Sequence, residues 1–514
     1  MTKYKKLRGM IAAMTAAGVL CAMPAGFAAE AQTSPAAATA QPAAQTTPAH
    51  KEMQPAAQQT SKPFAIVRVG KKWGAIAPSG SLVIPAEYDQ IVSYAADALA
   101  VRQGKNWGIV RLDGTVIIPV AYKTIQPIQE DTIVVVDAKD RYGAYDTTGK
   151  LLLPVEYNSV SAFYDGISCV EHKDKKRAFY RRDGRPLNGE TYVGAWSFSE
   201  GLAIVSNDKK QYGFIDTTGT QVIPTVYTDA RAFHEGLAAV KVKGKWGFID
   251  KSGTMVIAPQ LRAKAIGDFH EGLAMVKEKK WSFIDKTGAK VIETRYDDVM
   301  PFENGLAEVR REVKSTNFFG AVFTVLAATA GQYIYDSTML DDSKIKRGYI
   351  DKSGAEIIST KNDYNSTFQD GVVRVRVKSK WGIVDRKGAY VVEPKYKDIH
   401  FFYEDLAAVQ DGDKWGFVGR DGKIVIEPKY DEVHDFTDGF AAVRQGTRSF
   451  FIDKTGHVPF LLPSMITEIG MFNEGFAPVK IDLAWGFIDR TGTVVIAPAY
   501  DEVLTHQKTT KDRL

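Results

Sequence analysis

A Trp-Gly step that returns with a period of about 35 residues constrains this chain more than any other feature. It stands at Trp73, Trp107, Trp246, Trp381, Trp415 and Trp485, while Trp281 is followed by Ser282. Tyr142 and Tyr212 keep the glycine and exchange the indole for a phenol, and Arg177, Arg347 and Ser449 fill the slot in degenerate copies. Successive slots lie 34, 35, 35, 35, 34, 35, 66, 34, 34, 34 and 36 residues apart, giving twelve units with one long interval. Such a period marks a repeat architecture, in which each unit buries its apolar face against its neighbours.

Each unit reads as a three-stranded antiparallel meander, so the chain is expected to be all-β. In the copy that begins at Phe233, Leu237 to Val242 alternates apolar and polar, Trp246 to Ile249 follows a Lys-Gly turn, and Met255 to Ile257 follows Asp250-Lys-Ser-Gly253. Asp followed three residues later by Gly suits a type I turn that closes with glycine at positive φ. Pro85, Pro119, Pro224, Pro428 and Pro498 come at the end of the third strand, where loss of a ladder donor ends pairing. The chain then crosses over through Tyr-Asp to the next phenylalanine. Glycine after the tryptophan is expected to let a neighbouring unit's ring approach. Twelve three-stranded units fit one propeller poorly, because blades usually have four strands and rings about four to eight blades. An open superhelical solenoid is the first expectation, and two consecutive closed rings are the alternative.

Lys-Trp-Gly-Phe-Ile-Asp at 245–250, Ile-x-Pro-x-Tyr-Asp at 426–431 and the recurring Phe-x-Glu-Gly-Leu-Ala resemble the WG-repeat family, also called KWG repeats, over roughly residues 63–503. The family is defined by its repeat and not by a reaction, so the resemblance implies a bacterial repeat protein and no particular activity.

Lys3, Lys5, Lys6 and Arg8, an apolar stretch from Met10 to Met23 and small residues up to Ala31 read as a secretory signal peptide over 1–31. Residues 32–62 are Ala, Pro, Gln and Thr with almost no large apolar side chain, a flexible linker. Residues 504–514 form a polar tail. The expected compartment is therefore periplasm, cell surface or medium. Losing the four positive charges takes the net charge from +5 to +1, or to +2 if Glu30 leaves too, which argues against a globally basic nucleic-acid binder. Cys21 lies in the signal, so Cys169 stands alone and an intramolecular disulfide is excluded.

The residues carry no Ser-His-Asp pattern, Gly-rich phosphate loop, His-Glu-x-x-His or Cys-x-x-Cys. The recurring Asp250, Asp285, Asp351 and Asp453 have a structural place in the turn. His234 and His270 share a slot that elsewhere holds Tyr, Ser, Glu, Gln, Thr or Asn, which reads as solvent-facing. No catalytic, cofactor or metal site is expected. The tips of the first hairpins are basic, through Lys71 and Lys72, Lys139 and Arg141, Lys173, Lys209 and Lys210, Lys241, Lys243 and Lys245, Lys277, Lys279 and Lys280, and Lys378 and Lys380. The crossovers are acidic, as at Asp297-Asp298 and Asp431-Glu432. Stacking would align these into a positive ribbon and a separate negative one. The bland reading is solubility and protection of sheet edges; the functional reading is a docking strip for a protein or an anionic envelope polymer.

The long interval holds an insertion at about 314–344, with Phe318, Phe319, Val322, Phe323, Val325 and Leu326 in its uncharged core. That core falls short of the roughly 20 apolar residues of a membrane span. It reads either as an element folded onto neighbouring units or as one meeting a partner or a membrane surface. The sequence leaves the oligomeric state open. It favours an exported, non-catalytic binding or scaffold module of the bacterial envelope, with an envelope enzyme whose site lies between repeats or at the insertion as the competing reading.

Overall fold

The computed structural model describes residues 65–312 and 345–505. The signal peptide, the linker, the insertion with its Phe318 to Leu326 element, and the chain beyond 505 lie outside the described residues. Residues 504 and 505, expected in the tail, belong to the last strand, Glu502–Thr505.

Twelve antiparallel sheets follow one another along the described chain, ten with four strands and two with three. We call them blades I to XII and their strands a to d. In blade VI these are Asp229–Ala230, Leu237–Val242, Lys245–Asp250 and Met255–Leu261. The three expected strands are b, c and d. Strand a lies inside the expected crossover; it is two residues long in six blades, too short to show alternation. Its hairpin to b turns on Glu235 (φ 50°) and Gly236 (φ 81°), two consecutive residues at positive φ as a type I′ turn requires.

The array is a closed ring, not an open solenoid. The last strand, Glu502–Thr505, pairs antiparallel with the first, Ala65–Val69, with Val67 opposite Val503 and Arg68 opposite Glu502. The C-terminus thus supplies strand a of blade I, whose order is d-c-b-a across Leu82–Tyr88, Lys72–Ile76, Ala65–Val69 and Glu502–Thr505. Arg68 and Glu502 form an ion pair at 3.1 Å, and the Gly70 N–H donates to Asp501 Oδ2 at 2.6 Å. Two consecutive rings would each need their own closing pair; the single pair joins the two ends of the whole array.

Successive blades share one core. Between VI and VII it comprises Leu237 and Ala239 of strand b, Phe248 of c and Ile257 of d, packed on Ile266, Phe269 and Ala274 of the next blade. The Phe248 and Phe269 rings meet edge to face, 4.9 Å between centroids and 63° between planes, and Phe283–Phe302, Phe417–Phe436 and Phe451–Phe472 repeat the pair at 4.8 Å. Cys169 is part of such a core, and burial pushes its thiol up to about 12.

The glycine after the tryptophan serves its own blade, not a neighbour's ring. A Cβ on Gly247 would lie 2.4 Å from the Ile257 carbonyl oxygen and 2.9 Å from Pro259 N, both in strand d. Strand d bulges toward c at this point: Trp246 pairs with Leu261 and Phe248 with Ile257, so two residues of c face four of d. The proline therefore sits within strand d, at the bulge on the blade's free edge, and does not end it. The indole lies beneath the cation opposite it on strand b, with Arg68 over Trp73, Arg102 over Trp107, Lys241 over Trp246 and Lys277 over Trp281 at 5.0 to 5.8 Å.

A periodic latch joins blades on the face that carries the a–b and c–d turns. Glu235 of blade VI accepts the Gly272 N–H of blade VII at 2.9 Å and pairs with Lys286 of that blade at 3.2 Å. Glu200 does the same with Gly236 and Lys251, and Glu271 with Gly305 and Lys352. Partial burial pushes these carboxyls up, but the amide and the ammonium outweigh it and hold all three below the ordinary glutamate range. A depressed carboxyl contributes stability that is complete above its unfolded-state pKa and is lost as pH falls through its folded-state pKa. The urea midpoint is therefore expected to be flat above about pH 5 and to drop below about pH 4.5. In a Glu235→Gln, Glu271→Gln double variant the midpoint at pH 7 should be lower and the acid-side drop shallower.

Candidate functional site

Because the strands of a blade alternate in direction, its b–c tips and its d–a crossovers emerge on the same face. The expected separation into two ribbons of opposite charge fails for this reason. Acidic crossovers instead cap the basic tips. Asp89 Oδ2 accepts the Gly104 N–H and Asp431 Oδ2 the Gly446 N–H, each at 2.6 Å, while Asp363 caps Ser379 at 2.7 Å. Lys72 pairs with Asp89 at 2.7 Å and Lys414 with Asp431 at 2.5 Å. The ammonium, then the amide, holds both carboxyls below the usual aspartate range.

Several of the expected strip residues are thereby occupied. Lys72 is paired, and Arg141 forms an ion pair with Asp137 at 2.6 Å. Lys241 and Lys277 lie over Trp246 and Trp281 on strand b, and Lys245 is half-buried at the start of strand c. The others are exposed: Lys71, Lys139, Lys173, Lys209, Lys210, Lys243, Lys279, Lys280, Lys378 and Lys380. Among the described residues none of these ten has a carboxylate at ion-pairing distance. Lys71 lies on the tip of blade I; the other nine fall on consecutive tips of blades III to VII, resume in IX, and give way to Asp411 and Asp413 in X and to Asp482 and Leu483 in XII. The strip is thus an arc on one face of the ring. Glu312 and Ile345, which flank the insertion in the sequence, pair at the b–c end of blade VIII, on the same face as the basic tips of VII and IX.

Strand a carries a second polar system. Strand a and the residues that lead from it into strand b touch the same stretch of the next blade: Ser199 Oγ donates to the Phe233 carbonyl at 2.7 Å, and the His234 and His270 rings stack at 5.5 Å. Those histidines are half-buried, not solvent-facing as expected. His234 Nε2 lies 3.7 Å from Asp268 Oδ2, a carboxyl that burial pushes up; burial and the neighbouring His234 push His270 down. His400 Nδ1 lies 2.8 Å from Asp435 Oδ1 across the X/XI boundary.

The sequence reading also missed two half-buried charges. In blade VIII, Glu308 stands at the strand-b position that is Ala239 in blade VI; it binds Arg310 at 2.7 Å and Arg347, which replaces the tryptophan, at 3.0 Å. Arg374 takes the same position in blade IX, 3.2 Å from Asp398 and 4.8 Å beneath Trp381. Both were signalled by a charge at an alternating apolar position, Leu306-Ala-Glu308-Val and Val372-Val-Arg374-Val.

The turn aspartates are structural. Asp250 Oδ1 accepts the Ser252 and Thr254 amides, each at 2.9 Å, and the Ser252 hydroxyl at 2.6 Å; these bonds, led by the hydroxyl, hold its carboxyl low. Asp285, Asp351 and Asp453 repeat the arrangement.

Closed circular pairing, small four-stranded sheets and shared cores between blades define a propeller-like β repeat protein. The model of the WG containing repeat matches eleven segments, from 73–107 to 485–505, and the chain belongs to that family. The match skips residues 108–141. No curated protein matches the chain. Solved structures similar to it include a eukaryotic initiation factor (11% identity, 70% of this chain and 98% of the other, TM-score 0.36). BamB from Moraxella catarrhalis (11%, 50% and 90%, TM-score 0.28) and PorZ from Porphyromonas gingivalis (12%, 83% and 64%, TM-score 0.23) are two others.

Proposed function

We propose that the chain is an exported, non-catalytic binding module of the bacterial envelope that docks an anionic polymer or an acidic protein surface on its basic arc. The observation that carries this reading is the run of exposed lysines without carboxylate partners on consecutive tips of one face, Lys173, Lys209, Lys210, Lys243, Lys279 and Lys280. Lysines outnumber the acids Asp174, Asp208 and Glu278 on these tips, whereas tips needed only for solubility would serve as well with acids in the majority, as Asp411 and Asp413 are in blade X. Export rests on the basic and apolar N-terminus, and the absence of catalysis on the lack of a clustered acid, base or nucleophile that breaks the repeat. The apolar insertion, whose flanking residues Glu312 and Ile345 lie on the same face, adds a contact to the partner or to a membrane surface.

The test uses polyglutamate as an anionic probe. Binding should weaken at least tenfold between about 50 and 300 mM salt, since exposed charges are screened over a Debye length of about 8 to 10 Å near physiological ionic strength. A Lys209→Gln, Lys210→Gln, Lys279→Gln, Lys280→Gln variant should lose most of the binding with an unchanged melting temperature. Salt-independent binding, or equal binding by the variant, contradicts the arc. Deleting 314–344 should reduce retention on vesicles containing phosphatidylglycerol; unchanged retention removes the insertion from the reading.

A further inference from the structure

At the II/III boundary all three of the large side chains that fill the common core are replaced by smaller ones. At VI/VII the space is filled by Leu237, Phe248 and Phe269. At II/III the same three places hold Ala98, opposite Arg111 as Leu237 is opposite Asp250, then Ile109 on strand c, and Ile128, which lies between strands a and b of the incoming blade. Three large side chains have become smaller at one place, and a cavity of about 260 Å³ opens there. For scale, a dry apolar cavity of about 150 Å³ accommodates benzene. Ile128 lies in the 108–141 interval that the repeat model does not match.

The floor of the cavity is apolar, with Ile117 and Ile133 beside Ile109 and Ile128. Its rim is polar. Arg111 takes the place of the turn aspartate; its Nη1 lies 3.2 Å from Asp97 Oδ2 and its Nη2 donates to the Thr147 carbonyl at 3.2 Å. Tyr94 replaces the strand-a phenylalanine of blade II and turns its hydroxyl away to donate to the Gln126 carbonyl at 2.6 Å. Asp97 is 69% exposed and Arg111 34%, so the pair is open to a ligand. A guanidinium donor and a carboxylate acceptor side by side cancel as charges, which gives a free carboxylate no advantage. They match a neutral secondary amide, whose C=O accepts from Arg111 and whose N–H donates to Asp97.

We propose that this cavity is a pocket for a bulky apolar side chain of a protein partner, with the adjoining backbone amide held between Arg111 and Asp97. It lies on the face of the a–b and c–d turns, opposite the basic arc, and stands whether or not the arc binds anions. The chain would engage two partners, or two parts of one, on its two faces.

The experiment titrates the full chain with N-acetyl-L-phenylalanine amide and with phenylacetate, followed by NMR of the isoleucine methyls. The amide should bind saturably and at least fivefold more tightly than phenylacetate, with shifts confined to Ile109, Ile117, Ile128 and Ile133. Restoring the repeat's own residues, Ile109→Phe with Ile128→Phe, should weaken binding at least tenfold and raise or maintain the melting temperature. Ala98→Leu alone, a single added isobutyl group, should act in the same direction if the double change disturbs folding. Arg111→Gln should reduce the preference for the amide while leaving toluene binding unchanged. A wild-type chain that binds neither probe up to their solubility has only a packing defect here, and the proposal is wrong. Equal binding by the refilled variants, or equal affinity for phenylacetate, overturns it as well.

Discussion

Gly416→Ala is expected to lower the stability of blade X by about 3 kcal/mol or more, although alanine adds a single methyl group. A Cβ at that position would lie 2.4 Å from the Ile426 carbonyl oxygen and 2.6 Å from Pro428 N, and both are backbone atoms that a rotamer change cannot move. Relief would require undoing the bulge that pairs Trp415 with Tyr430 and Phe417 with Ile426, and with it the seat of Phe417 against Phe436. Gly439→Ala is the matching control. Its φ of 84° makes alanine strained, by about 1 to 2 kcal/mol, yet nothing lies within 4 Å of the added carbon. Urea denaturation followed by tryptophan fluorescence, with amide exchange resolved by blade, should rank the two substitutions in this order. Equal costs would mean that the Trp-Gly glycine serves turn conformation and not the approach of strand d.

Ending the chain at Tyr500 should destabilise the array by about 5 kcal/mol, the sum of a few ladder hydrogen bonds and two partly buried aliphatic side chains, Val503 and Leu504. It removes the Asp501 cap on Gly70 and leaves Arg68 without Glu502. It also exposes a strand edge on Ala65–Val69, so faster amide exchange in blade I and concentration-dependent association should accompany the loss. Exchange that quickens throughout blade I while blade VI stays protected is the pattern expected of a ring cut at one place. An open array would lose little, because its terminal unit would already be frayed.

The features that depend on the repeat alone were legible in the residues. Strands b, c and d announce themselves by alternation and by the Asp-x-x-Gly turn, and the number of blades follows from the slots between Trp73 and Trp485. Strand a was not legible, because Asp229–Ala230 has no period to detect and its hairpin places Glu235 at a φ usually left to Gly, Asn or Asp. Missing it made each unit look three-stranded, and a three-stranded unit argued against a propeller. Ring closure depends on a pairing between residues more than 400 positions apart, Ala65 to Arg68 with Glu502 to Thr505, which no local pattern reports.

The charged face was misread for a related reason. With three strands the tips and crossovers seem to diverge, whereas the fourth strand brings Asp89 back to Gly104 and Lys72. The cavity, by contrast, is visible once copies are compared position by position, as Ala98, Ile109 and Ile128 stand where Leu237, Phe248 and Phe269 fill the space elsewhere.

Closure of the ring is tested most directly by a disulfide between its ends. In a chain with Cys21 and Cys169 replaced by alanine, Val67→Cys and Val503→Cys place two thiols on directly opposed residues of the first and last strands. The closed ring predicts near-quantitative intramolecular oxidation, seen as loss of both free thiols at monomer mass and as faster migration on a non-reducing gel, with a raised melting temperature. Thiols that stay free, or that link only separate chains, would contradict it.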